Sequence, residues 1–376
     1  MQRQKQLAGW LQSLFPDQQF TLAPASADAS FRRYFRATFA DGVACGTLLT
    51  KSSDPGNKRQ VAPDQITDRT TPAPDGSTAP CRGCTLIVMD APPQHEDCRP
   101  FLHVAKLLED AGAHVPHVYA QDLEQGFLLL SDLGNTTYLQ ALVEGDAGTA
   151  KELYGAATDA LLRIQLASRE NELPHYDEAM LLREMRLFPE WYIGRHLNVV
   201  LSEAQSAKLE TVFKRIIANN LAQPRVYVHR DYHSRNLMRL EENNPGIIDF
   251  QDAVYGPITY DLASLFKDAY IRREEAEIID WLVRYWEKAR KAGLPVHNDF
   301  AEFYRDYEWM GVQRHLKVLG IFARLYHRDG KDGYLKDLPL VMSYLRAACA
   351  RYIDLKPLLN LLDTLEPQIN REGYTF

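Results

Sequence analysis

The chain has 376 residues, of which 45% are apolar, 10% aromatic and 25% charged, and this balance excludes collagen, a coiled coil and disorder throughout. A formal net charge of −7 argues against binding to nucleic acid or anionic membrane through charge, and no apolar run reaches the roughly 20 residues that a membrane span needs. Five cysteines and an N-terminus without the apolar run of an export signal predict a cytosolic protein, and the length predicts two lobes.

The first hundred residues predict one helix and a small sheet. The opening stretch, MQRQKQLAGWLQSLF, has the pattern of an amphipathic helix. Aromatic and charged residues alternate from Phe31 to Phe39, as in a half-buried strand, and Thr85–Met89 has the short β-branched composition of a buried strand. We therefore expect a sheet-rich N-terminal lobe.

The stretch between these strands, residues 44–84, contains no Phe, Trp or Tyr and is interrupted by five prolines. Because it has few groups to bury, it cannot offset the entropy of ordering, and we predict a long mobile insertion. Cys81 and Cys84 have the spacing of half a zinc site, but Cys45 completes no familiar pattern. Metal binding at this insertion is left open.

Beyond a helix at 100–110 and a strand at Gly126–Ser131, the pattern changes at Asp132 to long helical periods. Helices are predicted over 136–144, 147–168, 176–197, 202–222, 259–292, 299–328 and 335–363. A β-rich patch at 225–250 interrupts them. The sequence thus predicts an α+β protein with an N-terminal lobe over 1–131 and a larger, mostly helical lobe over 132–376.

The β-rich patch carries the densest polar chemistry. Strand residues Val226–Val228 precede the loop His229–Asn236 (HRDYHSRN), and a predicted hairpin of Leu237–Leu240 and Ile247–Phe250 follows. The reversal returns the chain to the same end of the sheet. We therefore expect Asp231, Asn236 and Asp249 to lie together.

This trio suits phosphoryl transfer from a nucleotide. A carboxylate can orient the acceptor hydroxyl and take its proton, and an amide oxygen with a second carboxylate can hold the Mg²⁺ that bridges the phosphates. The sequence therefore indicates a phosphotransferase that uses ATP and Mg²⁺.

Several motifs give the chain a family resemblance. HRDYHSRN, IIDFQD and the segment Tyr260–Ala263 resemble the aminoglycoside/choline phosphotransferase superfamily, which has a protein-kinase-like, bilobal fold. The segments ADASFRRYFR (27–36), VMDAPP (88–93), GFLLLSDLG (126–134) and MGVQRHLKVLGIFARLYHR (310–328) look like its branch of bacterial anomeric N-acetylmuramate/N-acetylglucosamine kinases of cell-wall recycling. Small amino sugars and a nucleotide are the partners that this implies.

The resemblance implies roles for individual residues. Asp231 would be the catalytic base and Asn236 and Asp249 the magnesium ligands, while His229 and Asp261 would be structural. Two segments would bind the nucleotide, one over the phosphates and one as the adenine hinge, through Asp28, Ala29, Ser30, Phe31, Arg32, Arg33, Ser131, Asp132 and Leu133.

One feature departs from protein kinases, which hold the phosphates with a lysine in the third strand, paired to a helix glutamate. The strand around Leu86–Met89 has no lysine, and Glu96 and Asp97 have no evident basic partner. Arg32, Arg33 or Arg36 would have to supply the positive charge.

An N-acetylated sugar acid carries a lactyl carboxylate, so its site needs a cation and aromatic walls. Two predicted helices offer Arg183, Tyr192, His196, Arg314, His315 and Lys317. The alternative is that these residues are solvated charges on amphipathic helices and that Trp191 and Trp309 are core. Arg314 and Lys317 are three apart and therefore share a helix face.

Two other functions remain open from the residues alone. His229, Asp231, His233 and Asp249 could bind a transition-metal pair in a hydrolase, although Asn236 would then have no role. A pseudokinase is the other, because the strand lysine is missing. A different small acceptor, such as an aminoglycoside or choline, would change the substrate but not the chemistry.

Overall fold

The computed structural model describes residues 2–27, 31–40 and 85–366. They form two compact units, one made of residues up to 106 with 115–134 and the other of 107–114 with the residues from 135 onward. The predicted division at residue 131 lies close to the end of the first unit at 134, but 107–114 belongs to the second. Within the described ranges, no helix is long and apolar enough to cross a membrane.

The first unit contains a five-stranded antiparallel sheet in the order β1-β2-β3-β5-β4. Its strands are β1 (Phe20–Ala27), β2 (Arg33–Phe39), β3 (Thr85–Asp90), β4 (Val118–Asp122) and β5 (Phe127–Ser131). Strands β1 and β4 have no alternating apolar pattern and were missed in the sequence. The insertion predicted over 44–84 lies outside the described residues.

Helix α1 (Gln2–Leu14) covers one face of this sheet. Leu7 and Leu11, one helical turn apart, are fully buried in a core that includes Phe35 and Ala37 of β2 and Val88 of β3. The alternate residues of each strand reach this core because successive side chains point to opposite faces. The helix ends shortly before Pro16, whose ring disfavours helical backbone in the preceding residue.

Helix α2 (Arg99–Asp110) follows β3, and the second unit is mostly helical. Its α-helices are α3 (Tyr138–Glu144), α4 (Ala147–Leu166), α5 (Glu178–Met185), α6 (Glu203–Ala222), α7 (Tyr260–Phe266), α8 (Glu275–Lys291), α9 (Phe300–Asp329), α10 (Leu338–Arg351) and α11 (Lys356–Leu365). A π-helical segment (Phe188–His196) follows α5, and 3₁₀ turns at Asp332–Asp337 and Ile353–Leu355 flank α10. The predicted α+β class is confirmed.

The 30-residue helix α9 runs through the core of this unit, with nearly every side chain from Tyr307 to Ala323 buried. At Gly320 it passes so close to the π-helical segment that an added Cβ would lie 2.4 Å from the backbone carbon of Leu187. Glycine is therefore required there. The helix ends at Gly330, whose φ of +66° is the left-handed conformation usual at a helix C-terminus.

The β-rich patch forms two small sheets and not one. Strand β6 (Arg225–Val228) pairs with β9 (Val254–Pro257), while β7 (Leu237–Met238) pairs with β8 (Gly246–Ile247). The prediction of a strand over Ile247–Phe250 is wrong beyond Ile247, because Asp249 has φ +65° and cannot continue an extended strand. Strand β9 was missed because its sequence, VYGP, contains two strand breakers.

Three predicted helices are interrupted. The span 259–292 breaks after α7, where Asp268 bonds to loop backbone, and α8 begins only at Glu275. The span 335–363 breaks near Tyr352, and Pro357 lies in the first turn of the new helix α11. The span 176–197 divides into α5 and the π-helical segment, which has Pro189 near its start.

Candidate active site

The loop His229–Asn236, called the polar loop below, leaves β6 with backbone that the side chain of His229 holds in place. The Nε2 of His229 donates to the carbonyl of Ile248 at 3.0 Å, and its Nδ1 accepts the N–H of Asp231 at 3.3 Å. Burial lowers the pKa of His229, so the ring is neutral and can accept at one nitrogen while donating at the other. Both ring nitrogens are therefore used in shaping the loop.

Asp261, at the start of α7, binds the backbone at the same point. Its two carboxylate oxygens accept the N–H of His229 at 2.7 Å and the N–H of Arg230 at 3.0 Å. Arg230 has φ +76°, a conformation that a non-glycine residue adopts only when its surroundings fix it. Asp261 provides that constraint and orients the residue directly before Asp231.

The structure brings Asp231, Asn236 and Asp249 together, as the sequence suggested. The side-chain N–H₂ of Asn236 donates to the backbone carbonyl of Asp231 at 3.0 Å and to the carboxylate of Asp249 at 3.3 Å. Since both bonds use the amide nitrogen, the amide oxygen of Asn236 is oriented away from these partners. Gln251 donates to the other oxygen of Asp249 at 2.8 Å, which fixes that carboxylate.

This donor set fits a hard cation. An amide oxygen and a carboxylate are the oxygen ligands that Mg²⁺ accepts, and Mg²⁺ fills its remaining positions with water and substrate phosphates. Among the described residues, no group of three or more His, Cys, Asp and Glu side chains could hold a metal ion by itself. A two-residue site completed by phosphates is therefore what the geometry allows.

Positive charge surrounds the carboxylate of Asp231. Burial alone would raise the pKa of this group, but nearby cations, Lys317 first among them, outweigh it and hold the pKa at about 2. Arg314 and Arg230 act in the same direction. Burial lowers the pKa of the neighbouring His233 to about 4, so this ring is neutral near pH 7. With a pKa of about 2, the carboxylate of Asp231 is ionised at neutral pH.

Two of these cations share one buried anion. Glu184 of α5 forms an ion pair with Arg230, and the Nζ of Lys317 lies 3.3 Å from the same carboxylate. Gln313 donates to Glu184 at 3.1 Å, and the hydroxyl of Tyr176 also bonds to it. We call these five residues the Glu184 cluster. Burial opposes the charge on Glu184, but Lys317 and Arg230 keep its pKa below the ordinary value.

Asp268 was missed by sequence reasoning, although it anchors the far half of the polar loop. Its carboxylate accepts both the backbone N–H and the hydroxyl of Ser234, and its other oxygen accepts the N–H of Tyr270 at 3.0 Å. The residue lies within the predicted helix 259–292, and no local pattern distinguishes it from the helix residues around it.

The nucleotide-binding residues predicted in the first unit are only partly described, because Asp28, Ala29 and Ser30 lie outside the described residues. Phe31 is 63% exposed and stacks on the ring of His95. Glu96 and Asp97 do have basic partners, which corrects the sequence interpretation: Arg32 lies 3.8 Å from Glu96, and Arg99 bonds to Asp97. Helix α2 begins at Arg99, two residues after Asp97, and both the backbone N–H and the guanidinium of Arg99 donate to the Asp97 carboxylate.

All three arginines considered for the phosphates have a carboxylate partner, which for Arg32 is Glu96. Arg33 of β2 forms an ion pair with Asp90, directly opposite on β3. Arg36 binds both oxygens of Asp132, at 2.5 and 2.9 Å, and the carbonyl of Gly134.

The other two residues of the predicted hinge also lie in the first unit. Ser131 accepts the N–H of His117 with its hydroxyl at 2.9 Å, and Leu133 is buried. The nucleotide-binding roles of all these residues stay a prediction.

Three of the acceptor-site candidates lie on or near the π-helical segment. Arg183 of α5 is exposed. Tyr192 is buried, stacks on Phe188 and bonds to Glu366 through its hydroxyl. His196 stacks on Tyr192 with ring centroids 5.5 Å apart, and burial lowers its pKa.

The other three candidates lie side by side on α9. Arg314 and Lys317 both act electrostatically on Asp231. His315 is fully buried and stacks on Tyr344 at 5.5 Å between ring centroids. Burial holds the pKa of His315 well below its ordinary value, so the ring carries no charge near neutral pH.

The hydrolase alternative is not supported by this geometry. A transition-metal site would need nitrogen lone pairs from His229, but its Nε2 donates to Ile248 and its Nδ1 accepts from Asp231. The ring of His233 lies edge-on against Tyr270. The polar loop is instead built around Asp231, Asn236 and Asp249.

Comparison with known proteins identifies the family of this chain. The family model described as "Phosphotransferase enzyme family" (APH) matches residues 77–300, more than half of the chain. The chain belongs to this phosphotransferase family. It is a phosphotransferase, and the pseudokinase alternative is set aside.

Two curated relatives carry the same name, N-acetylmuramate/N-acetylglucosamine kinase. The one from Neisseria meningitidis serogroup B is 45% identical over all of both chains. The one from Pseudomonas aeruginosa is also 45% identical, over 96% of this chain and 97% of its own.

Among solved structures, the ADP-bound aminoglycoside phosphotransferase APH(2'')-Ib aligns with a TM-score of 0.51 at 12% identity. The alignment covers 90% of this chain and 97% of that one. At this identity the likeness concerns the fold, and the predicted protein-kinase-like fold of the phosphotransferase family is confirmed.

Proposed function

We propose that this protein is an ATP- and Mg²⁺-dependent kinase that phosphorylates the anomeric hydroxyl of N-acetylmuramate and N-acetylglucosamine. The observation that carries the proposal is the polar loop, in which Asn236 bonds to both Asp231 and Asp249. The full-length relatives named for these two sugars supply the substrate class. In a cell, phosphorylated amino sugars of this kind would belong to the recycling of cell-wall material.

Asp231 would bind and orient the acceptor hydroxyl. Its low pKa makes it a weak base, so it does not remove the proton before phosphoryl transfer begins. As the bond from the γ-phosphorus to the ADP oxygen breaks and the bond to the anomeric oxygen forms, the hydroxyl becomes acidic, and its proton passes to the Asp231 carboxylate. Positioning is thus the larger part of its role, as is general for phosphoryl transfer.

Asn236 and Asp249 would hold Mg²⁺, which when bound neutralises charge on the phosphates. Gln251 and the Asn236 amide nitrogen keep the Asp249 carboxylate in place through hydrogen bonds at 2.8 and 3.3 Å. Because these bonds are made within the protein, the two ligands are preorganised and little reordering is needed when the cation arrives.

In the first unit, ATP binding by residues 28–33 and 131–133 is part of the proposal. Arg33 and Arg36 are poor candidates for the phosphate cation, because Asp90 and Asp132 already bind them. Moving Arg36 to a phosphate would leave the largely buried Asp132 carboxylate without its ion pair, whereas Asp90 would keep a second partner, Arg3.

The proposal is tested with purified protein, ATP, Mg²⁺ and four acceptors: N-acetylmuramate, N-acetylglucosamine, kanamycin and choline. ADP release is measured for each, and phosphorus NMR of the product locates the phosphate by its coupling to the sugar protons. Turnover of the two amino sugars, with coupling to the anomeric proton, supports the proposal. Turnover of kanamycin or choline alone would overturn it.

A further inference from the structure

The two proposed substrates differ by one group. N-acetylmuramate carries a lactyl ether with a carboxylate on O3, and N-acetylglucosamine has a free hydroxyl there. A site that uses both sugars benefits from a cation that pairs with the carboxylate of one and tolerates its absence in the other. The basic residues near Asp231 are the candidates for this cation.

Most of the positive charge near Asp231 is already paired. Arg230 is bound to Glu184 and to the carbonyl of Asp252, and Lys317 is bound to Glu184 and to the hydroxyl of Tyr260 at 3.1 Å. Breaking either pair would remove one of the two counter-charges of the buried Glu184, which is unfavourable in the protein interior. Neither cation is available to a ligand.

The other basic groups on this side are also unsuited. His233 and His315 are neutral, because burial lowers the pKa of both. The guanidinium carbon of Arg235 lies over the ring of Tyr270, 3.6 Å from its centroid, and 6.0 Å from the ring centroid of Tyr334. This stacking stabilises Arg235 where it is.

Arg314 differs from all of these. Its side chain is on the α9 face that also carries Lys317, one turn away, and only 3% of the residue is exposed. Its Nε and Nη1 are buried and donate to no group among the described residues, and it forms no ion pair with any of them. Its charge acts on Asp231, on His233 and on Tyr270. A buried guanidinium with unsatisfied donors is costly unless an anion completes it.

We propose that Arg314 is the specificity-determining residue that binds the lactyl carboxylate of N-acetylmuramate. The inference rests on the proposed function and assigns, within that site, the group that distinguishes the two sugars. A guanidinium fits because its planar fork can donate two parallel hydrogen bonds to a carboxylate. Asp231 lies within its electrostatic reach, so the carboxylate would be held on the same side as the reacting hydroxyl.

The test compares both sugars with the wild-type enzyme and with Arg314→Met and Arg314→Lys. Hydrogen bonds to a charged group contribute about 1.5–3 kcal/mol, so kcat/KM for N-acetylmuramate relative to N-acetylglucosamine should fall about 10- to 100-fold in Arg314→Met. Arg314→Lys, which keeps the charge but not the fork, should give an intermediate ratio. A change in the pKa of Asp231 would alter kcat/KM for both sugars in the same way, so it cancels in the ratio.

Arg305→Met is the matched control, since Arg305 is on the same helix but exposed, and it should leave the ratio unchanged. An equal loss for both sugars in Arg314→Met, or a shifted ratio in Arg235→Met instead, would overturn the inference. If the wild-type enzyme phosphorylates neither sugar, the proposed function fails and the inference with it.

A second measurement avoids substitution altogether, in case Arg314→Met does not fold. The wild-type enzyme is assayed with N-acetylmuramate and with its carboxamide, which keeps the size of the lactyl group but removes the charge. We expect kcat/KM to fall about 10-fold or more for the carboxamide. Equal rates for acid and carboxamide would contradict the inference even though both sugars are substrates.

Discussion

The carboxylate of Glu184 forms an ion pair with the guanidinium of Arg230, the residue immediately before Asp231. Arg230 has a left-handed backbone, and its side chain is thereby tied to α5 while Asp261 holds its N–H. Two independent bonds thus fix the direction in which the chain presents Asp231. An arginine at this place needs no phosphorylated partner, since Glu184 supplies the negative charge from within the chain.

We expect Glu184→Gln to destabilise the protein. The substitution leaves Arg230 and Lys317 buried without their shared anion, and removing one partner of a buried ion pair costs about 3–5 kcal/mol. Urea unfolding at pH 7 measures this loss. Glu190→Gln, at an exposed position of the π-helical segment, is the control and should change the free energy of unfolding by less than about 0.5 kcal/mol.

The same pair of proteins gives a pH test. Because folding lowers the pKa of Glu184, its contribution to stability is complete above its ordinary pKa of 4.5 and declines as the pH falls through the folded value. The stability difference between wild type and Glu184→Gln should therefore shrink on acidification below pH 4.5. A difference that stays constant or grows would show that Glu184 is not the charged partner.

Asp231→Asn should leave the fold intact and remove most of the turnover. Asparagine keeps the shape but cannot take the proton of the acceptor hydroxyl, and general-base catalysis contributes about 10²–10⁴-fold. Steady-state kcat with N-acetylglucosamine is the measurement, with thermal unfolding as the check on folding. Asp280→Asn, on the exposed side of α8, should retain wild-type kcat. Near-normal turnover in Asp231→Asn would disprove its role.

Asn236→Ala should weaken the binding of Mg²⁺ more than the binding of the sugar. It removes the amide oxygen proposed as a ligand and also the hydrogen bond that positions Asp249. The Mg²⁺ concentration for half-maximal rate should rise at least about 10-fold, while KM for the sugar changes little. Asn360→Ala, exposed on α11, serves as the control. An unchanged Mg²⁺ requirement would exclude Asn236 as a ligand.

Asp261→Asn should affect stability and rate together. The carboxylate accepts two backbone N–H groups, and an asparagine oxygen can accept only at one side, which leaves a buried donor unsatisfied at a cost of about 1–3 kcal/mol. Urea unfolding and kcat are both measured. Loss of rate without loss of stability would mean that Asp261 has a role beyond supporting the loop backbone.

The polar loop could be predicted from the sequence because its functional residues are close to one another along the chain. Asp231 and Asn236 are five residues apart in one loop, and the turn at 243–246 ensures that Asp249 returns to them. Short loops between short strands leave few ways to arrange such residues. The same holds for β2 and β3, where alternating or continuous apolar residues mark the strand directly.

The Glu184 cluster and Asp268 could not be predicted, because their partners are distant in sequence. Glu184 and Lys317 are on different helices, and no local pattern predicts which polar residues of two amphipathic helices contact each other in the core. The helical periodicity continues through Asp268, but α7 ends before it and its carboxylate accepts the backbone N–H of Ser234. Tertiary contacts overrode the helical periodicity at that point.

The anomeric position of phosphoryl transfer is the most specific part of the proposed function, and substrates blocked at that position test it directly. N-acetylglucosamine and its methyl α- and β-glycosides are incubated with enzyme, ATP and Mg²⁺, and ADP release is followed. The glycosides keep every hydroxyl except the anomeric one. We predict rapid ADP release with the free sugar and none above background with either glycoside. Phosphorylation of the glycosides at a rate comparable to that of the free sugar would contradict the assignment of an anomeric kinase.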